Sequence, residues 1–391
     1  MIMLGSSAAP LALKEYNAAS THSDSGIHAE FNHPSIVVVG SQIEPMTFDA
    51  VPAFGSEAEG DCTPPIICPQ PELPVKVADT PSSGTLGQNS GMVAMDGMLY
   101  FDANTPKSQL WKYDPSTNSI SEITTISQSS SYGGQVGKYG GFAILDHILY
   151  FDATESASGT ELWAYSPLND TYWMTGDIRP GSAGSRPGSS TGLIPMSGKL
   201  WFNAEDGTTG SELWSYDPTS GIAEIVADLS PGSSGSSPGV FSGLVPISDR
   251  WLLFDADDGS FGIEPWVHDT LTGHTSLLGD INPGNAPSLP GYLLPFKDVG
   301  DHIVFDASNQ TYGTELWAID KTSQNWEVTL ACDIWQGSSS GQPNSGSDDP
   351  LVIGDRIYFS ARDQAYGNEL WSFNSVDQTC TRNSDIRPGS Q

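Results

Sequence analysis

Leu200-Trp201-Phe202-Asn203-Ala204, then Glu205-Asp206-Gly207-Thr208-Thr209-Gly210, then Glu212-Leu213-Trp214-Ser215-Tyr216-Asp217: two alternating runs flank a Gly- and Asp-rich link. Alternation with period two is the pattern of a half-buried strand, and a short Gly/Asp link between two such runs is a hairpin. Pro218-Thr219-Ser220-Gly221 follows as a second turn, with Pro early and Gly last, and a third run spans Ile222 to Asp228. A fourth run precedes the unit, Gly243 to Ile247 in one copy and Gly141 to Leu145 in another. The unit is therefore four short antiparallel strands.

The same unit recurs. Phe101-Asp102-Ala103, Phe151-Asp152-Ala153, Phe202-Asn203-Ala204, Phe254-Asp255-Ala256, Phe305-Asp306-Ala307 and Phe359-Ser360-Ala361 start at intervals of 50, 51, 52, 51 and 54 residues. A Trp follows each: Trp111, Trp163, Trp214, Trp266, Trp317, Trp371. Four-stranded repeats of this period predict an all-β chain, a β-propeller whose blades pack through the recurrent aromatics. Phe48-Asp49-Ala50 lies in phase, 53 residues before Phe101, after Ile36-Val37-Val38-Val39 and before Pro74 to Asp79. Seven blades with a degenerate first one are preferred over six blades behind an N-terminal extension. Residues 1–34 read as an arm or tail. The blades fall near 35–80, 81–128, 129–179, 180–230, 231–282, 283–335 and 336–391.

Of the 391 residues 47 are acidic and 15 basic, a net charge of −32, which excludes a nucleic-acid partner. No stretch is long and apolar enough to be a membrane span. Met1-Ile2-Met3-Leu4 has no basic n-region, so no signal peptide is legible. The four cysteines, Cys62, Cys68, Cys332 and Cys380, allow three pairings. Cys62–Cys68 and Cys332–Cys380 are favoured, although the second asks two outer strands to meet where blades splay. An even count in a Lys-poor chain fits an oxidising compartment. Asn169-Asp170-Thr171 and Asn309-Gln310-Thr311 match the glycosylation acceptor pattern and fall in expected hairpin loops.

The repeat Phe-Asp-Ala-x-Asp-Gly-x-x-Gly-x-Glu-Leu-Trp, followed by Asp-Ile-x-Pro-Gly, resembles the ELW (Glu-Leu-Trp) repeats of large secreted and cell-surface proteins of bacteria and archaea. Glu161-Leu162-Trp163, Glu212-Leu213-Trp214, Glu315-Leu316-Trp317 and Glu369-Leu370-Trp371 match, as do Asp177 to Gly181, Asp280 to Gly284 and Asp385 to Gly389. Gln109 and Pro265 depart from the pattern. The resemblance covers about residues 75–391 and implies an extracellular propeller without assigning a catalytic residue.

The recurrent Glu161, Glu212, Glu264, Glu315 and Glu369 predict a structural role, each carboxylate accepting hydrogen bonds from the Gly-rich hairpin before it. Asp102, Asp152, Asp255 and Asp306 are read the same way. Asp255, Asp257 and Asp258, with their counterparts Asn203, Glu205 and Asp206, offer dense oxygen donors for calcium, but Gly stands at position five where an EF-hand loop has it at six. A calcium site and a plain Asp-Gly turn both fit. The seven His residues show no catalytic or zinc spacing, and no nucleophile elbow or phosphate loop occurs.

Two functions remain in view. One is a structural or adhesive module that associates with itself, with other surface proteins or with glycans, as in a surface filament or layer. The other is a carbohydrate-binding or carbohydrate-cleaving propeller. For the second, the residues that break the repeat are the candidates: Asp348, Asp349, Trp335, Asp298, Asp301 and Arg250.

Overall fold

The computed structural model describes residues 87, 91–104, 107–126, 135–323, 326–346 and 349–386, all within the unit Ser35–Gln391. The expected arm, the expected first blade, Cys62, Cys68 and Asp348 lie outside the described residues. Those described form six four-stranded antiparallel sheets, each a meander in chain order. The chain is an all-β propeller, and the six sheets are its described blades.

The first sheet holds β1 (Met92–Met95), β2 (Met98–Asn104), β3 (Ser108–Asp114) and β4 (Ser119–Glu122). The second holds β5 (Phe142–Leu145), β6 (Ile148–Glu155), β7 (Gly159–Ser166) and β8 (Thr171–Met174). The third holds β9 (Ile194–Met196), β10 (Lys199–Glu205), β11 (Ser211–Asp217) and β12 (Ile222–Ala227). The fourth holds β13 (Val245–Ile247), β14 (Trp251–Asp257), β15 (Ile263–Asp269) and β16 (His274–Leu277). The fifth holds β17 (Lys297–Val299), β18 (His302–Asn309), β19 (Gly313–Asp320) and β20 (Glu327–Cys332). The sixth holds β21 (Leu351–Ile353), β22 (Arg356–Asp363), β23 (Gly367–Asn374) and β24 (Thr379–Arg382).

The repeated motif sets the register of every central hairpin. Phe and Trp are direct cross-strand partners in all six sheets: Phe101 with Trp111, Phe151 with Trp163, Phe202 with Trp214, Phe254 with Trp266, Phe305 with Trp317, and Phe359 with Trp371. Since side chains alternate faces, Phe, the Ala two residues on, Trp and the Glu two residues before it share one face. The intervening Asp and the Leu of Glu-Leu-Trp share the other.

These two faces mate between neighbouring sheets. Phe151, Ala153 and Trp163 cluster with Tyr100 and Leu110 of the preceding sheet. Phe202, Ala204 and Trp214 cluster with Leu162. Phe254, Ala256 and Trp266 cluster with Leu213. Phe305, Ala307 and Trp317 cluster with Val267. Phe359 and Ala361 cluster with Leu316. Each large side chain taken out of water here contributes roughly 2 kcal/mol. The core is thus a series of slabs between sheets, and the linkers that join the sheets carry the remaining chemistry.

Candidate functional site

Four of the five linkers between described sheets are held by two buried polar side chains, one from the sheet the linker leaves and one from the sheet it enters. After the second sheet, Glu161 accepts from the backbone N–H of Ile178 (3.1 Å), Arg179 (3.4 Å) and Ser185 (2.8 Å), and from the Ser185 hydroxyl (2.6 Å). Glu212 holds Leu229, Ser230 and Ser236 in the same way. Glu264 holds Ile281, Asn282 and Ser288, and Glu315 holds Ile334, Trp335 and Gly341. Glu369 accepts from Ile386 N–H at 2.8 Å. Gln109, which breaks the motif in sequence, keeps the geometry: its Oε1 accepts from Ile126 N–H and its Nε2 donates back to the Ile126 carbonyl. The expectation that these carboxylates cap the hairpin before them is corrected here. They reach forward to the linker, 17 to 26 residues on, because the motif face that carries them opens toward the departing chain.

The far end of those four linkers is held by the Asp or Asn of the next motif, whereas the Ser360 hydroxyl, which takes this place in the sixth sheet, is buried with no hydrogen-bond partner among the described residues. Asp152 accepts from Tyr139 and Gly140 N–H. Asp255 accepts from Phe241 and Ser242 N–H, and Asp306 from Leu293 and Leu294 N–H. Asn203 takes the same place with its Oδ1 on Ser190 N–H and the Thr191 hydroxyl. Burial pushes Asp152 and Asp306 up to about 7 and Asp255 up to about 6, against hydrogen bonds that favour the anion. Burial likewise pushes Glu264 and Glu315 up to about 7.

The calcium candidates do not share a centre. Asp255 and Asn203 are buried and serve the linkers. Glu205 pairs with Arg179 at 2.7 Å. Asp257 accepts from Gly259 N–H, Asp258 from Ser260 and Phe261 N–H, and Asp206 from Thr208 and Thr209 N–H. These are Asp side chains closing their own turns. Among the described residues no three His, Cys, Asp or Glu side chains form a metal-holding group. Cys332 and Cys380 are joined, with Cα atoms 6.1 Å apart, so the outer strands β20 and β24 do come together at the rim. Asn169 stands exposed in the β7–β8 turn. Asn309 ends β18 half-buried, and its amide nitrogen donates to the Ile281 carbonyl, which leaves less room there than a hairpin loop suggests.

The symmetry-breaking residues are dispersed into local pairs. Arg250 meets Asp269 through two hydrogen bonds at 2.8 and 2.6 Å and lies over the Trp251 ring. Lys321 binds Asp298 at 2.5 Å, Lys297 meets Asp349 at 3.8 Å, and Arg362 stacks on Trp335. Asp301 is exposed.

One feature escaped the sequence reading. Tyr139, Phe241 and Tyr292 lie in the turn leading into the first strand of a sheet, Tyr139 and Phe241 at the same position and Tyr292 one residue before it, beside Leu293. Phe241 and Tyr292 meet edge to face with centroids 5.4 Å apart, and Tyr292 is 60% exposed. Lys138 lies 5.3 Å over the Tyr139 ring. The equivalent positions between and after them are Ser190 and Leu293, so no aromatic spacing showed in the sequence.

No protein-family model matches the chain, and no curated protein matches it. Among solved structures, puromycin hydrolase is similar at 12% identity and a TM-score of 0.39, over 78% of this chain and 55% of its own. Oligopeptidase B from Leishmania major is similar at 10% identity and a TM-score of 0.43, over 76% of this chain and 40% of its own. The Niastella koreensis GH74 enzyme is similar at 13% identity and a TM-score of 0.39, over 72% and 44%. The chain thus spans about half the length of such relatives. Likeness this distant assigns no activity to it.

Proposed function

We propose that the chain is a structural or adhesive propeller module of the cell exterior that assembles with copies of itself or with other surface proteins and glycans. The observation that carries this reading is the use of the buried carboxylates. Glu161, Glu212, Glu264 and Glu315 each bind the backbone of the next linker, and Asp152, Asp255 and Asp306 bind that of the linker before them. Acid–base catalysis needs carboxylates placed asymmetrically and within reach of a substrate proton. Carboxylates repeated from sheet to sheet and saturated by N–H donors serve the scaffold. The Cys332–Cys380 bridge supports an oxidising location. Electron microscopy of the purified full-length chain, with and without a calcium chelator, tests the proposal. Ordered polymers are expected. Dispersed particles that also bind no surface protein or glycan would overturn it. Dissolution by the chelator alone would bring calcium into the assembly.

A second reading, carbohydrate binding, is favoured by the Phe241–Tyr292 pair. Exposed Tyr292 against half-buried Phe241, beside Ser- and Gly-rich turns, offers an apolar face with hydrogen-bonding neighbours, which suits a sugar ring. A glycan array probed with the wild type and with a Phe241→Ala/Tyr292→Ala variant separates the readings. Binding that the double variant loses supports this site; no binding by the wild type removes it.

A further inference from the structure

Among the described junctions, the one between the fifth and sixth sheets has half its clamp missing. At the other four the entering sheet supplies a buried Asp or Asn: Asp152, Asn203, Asp255 and Asp306 are at most 2% exposed and accept N–H groups of the linker. In the sixth sheet this place belongs to Ser360, whose hydroxyl is buried without a hydrogen-bond partner among the described residues. The main-chain part of the clamp is kept. Asn344 N–H donates to the Ser360 carbonyl at 2.6 Å, as Gly188 does to Asn203, Gly239 to Asp255 and Gly291 to Asp306. The Asn344 side chain turns the other way, to the Leu293 carbonyl of the preceding linker (2.9 Å).

The same junction carries the disulfide. Cys332 stands opposite Leu316 in β20, and Cys380 opposite Phe373 in β24. The corresponding places in the third and fourth sheets are Ala227, opposite Leu213, and Thr275, opposite His268. A covalent bond thus spans the junction that lacks the Asp. The buried apolar side chains of the sixth sheet, Ile357, Phe359, Ala361 and Phe373, all belong to the one cluster shared with the fifth sheet. Cys332 lies in that cluster and Cys380 packs against it. The bridge therefore closes the edge of the slab on which the sixth sheet depends, and it restricts every state in which that slab comes apart.

We propose that the Cys332–Cys380 bridge stands in for the missing Asp, making this junction a redox-sensitive joint: reduction lets the sixth sheet, residues 351–382, open from the fifth while the second to fifth sheets stay folded. The reductant is a dithiol. One of its thiolates attacks Sγ of Cys380, the less buried partner, which breaks the S–S bond and releases Cys332 as a thiolate. The second dithiol sulfur then closes on the first and releases Cys380. Two electrons and two protons pass to the protein, leaving two cysteine thiols and a cyclic disulfide. This inference goes beyond the proposed function and does not rest on it.

Hydrogen exchange of the full-length chain, read by peptide mass spectrometry with and without dithiothreitol, tests the joint. Peptides over β22 and β23 are expected to exchange at least about tenfold faster after reduction, while those over β10, β11, β14 and β15 keep their rates. Unchanged rates in β22 and β23, or equal acceleration in every sheet, overturn the proposal. A Cys332→Ser/Cys380→Ser variant is expected to show the fast rates without reductant and no further change with it. A response to reductant that persists in this variant would trace to the other two cysteines and overturn the assignment. Ser360→Asp, which gives the sixth sheet the side chain of the other entries, is expected to shrink the effect of reduction. An undiminished effect would show that the bridge does not replace the Asp. The wild-type comparison decides the joint even where a variant fails to fold.

Discussion

At the scale of single residues, the buried carboxylates decide how the linkers run. Removing the Glu161 side chain strands three N–H groups and one hydroxyl in the interior. Glu161→Ala is expected to cost about 3 kcal/mol, and Glu161→Gln about half that because one amide oxygen remains. Urea unfolding measures both; a loss under about 1 kcal/mol for the Ala variant sinks this account. The same groups give a pH dependence. Asp152, Asp255, Glu264, Asp306 and Glu315 are raised by burial, to between about 6 and about 7. The folded chain therefore binds these protons more tightly than the unfolded chain. Their contribution is full below the ordinary carboxylate range and is lost as pH climbs toward about 7. The charge of −32 acts in the same direction. Turn carboxylates oppose it in acid: Asp206 stands at about 2, its turn hydrogen bonds outweighing burial, and Arg250 holds Asp269 low. Their contribution is lost as pH falls below the ordinary range. The thermal midpoint is expected to peak near about pH 5 and fall on both sides. A midpoint rising steadily from about pH 5 to about pH 8 in calorimetry would refute this. The recurrence of these residues was legible in the sequence; their partners were not, since a chain separation of 17 to 26 residues is bridged only by the folded linker.

At the scale of elements, the linkers also cross strands at close range. Gly210 and Gly235 face each other where Ser211 bridges Gly235; a Cβ on Gly210 would fall 2.4 Å from Gly235 N, and one on Gly235 would fall 2.3 Å from Ser211 N. Both have positive φ, +75° and +70°. Gly198 has φ +73° in open space. Gly198→Ala is expected to cost about 1 kcal/mol, from backbone conformation alone, and Gly210→Ala more than about 3 kcal/mol. Equal losses in thermal unfolding would show that the crossing relaxes freely. The Cys332–Cys380 bridge ties β20 to β24 over a separation of 48 residues. Cys380→Ser is expected to lower stability by about 2–4 kcal/mol under oxidising conditions. A variant unfolding at the wild-type urea midpoint would contradict that. The sequence named this pairing, but the splaying of blades spoke against it; the two strands nonetheless come together, with the Cα atoms of Cys332 and Cys380 6.1 Å apart.

At the scale of the whole molecule, one face code repeats through every described junction, and it makes the end sheets informative. Leu316→Ala, in the sealed junction between the fifth and sixth sheets, is expected to cost about 2–5 kcal/mol. Leu370→Ala, at the same motif position but 40% exposed, is expected to cost under about 1 kcal/mol. Chemical unfolding of the two variants side by side checks this; equal losses would contradict it.

The sequence by itself determined the repeat, the strands, their register and the all-β class, because each follows from spacing: Phe to Trp across a hairpin, and alternation along a strand. It also marked the Glu residues with Gln109 as one positional series and the motif Asp residues as another. Only the tertiary structure decided what those side chains hold, since their donors come from linkers whose course no local pattern encodes. It alone showed that Asp257, Asp258 and Asp206 close their own turns, that β20 and β24 meet, and that Phe241 and Tyr292 touch. The last two are contacts between chain segments far apart in sequence, fixed by how the sheets pack rather than by the residues beside them.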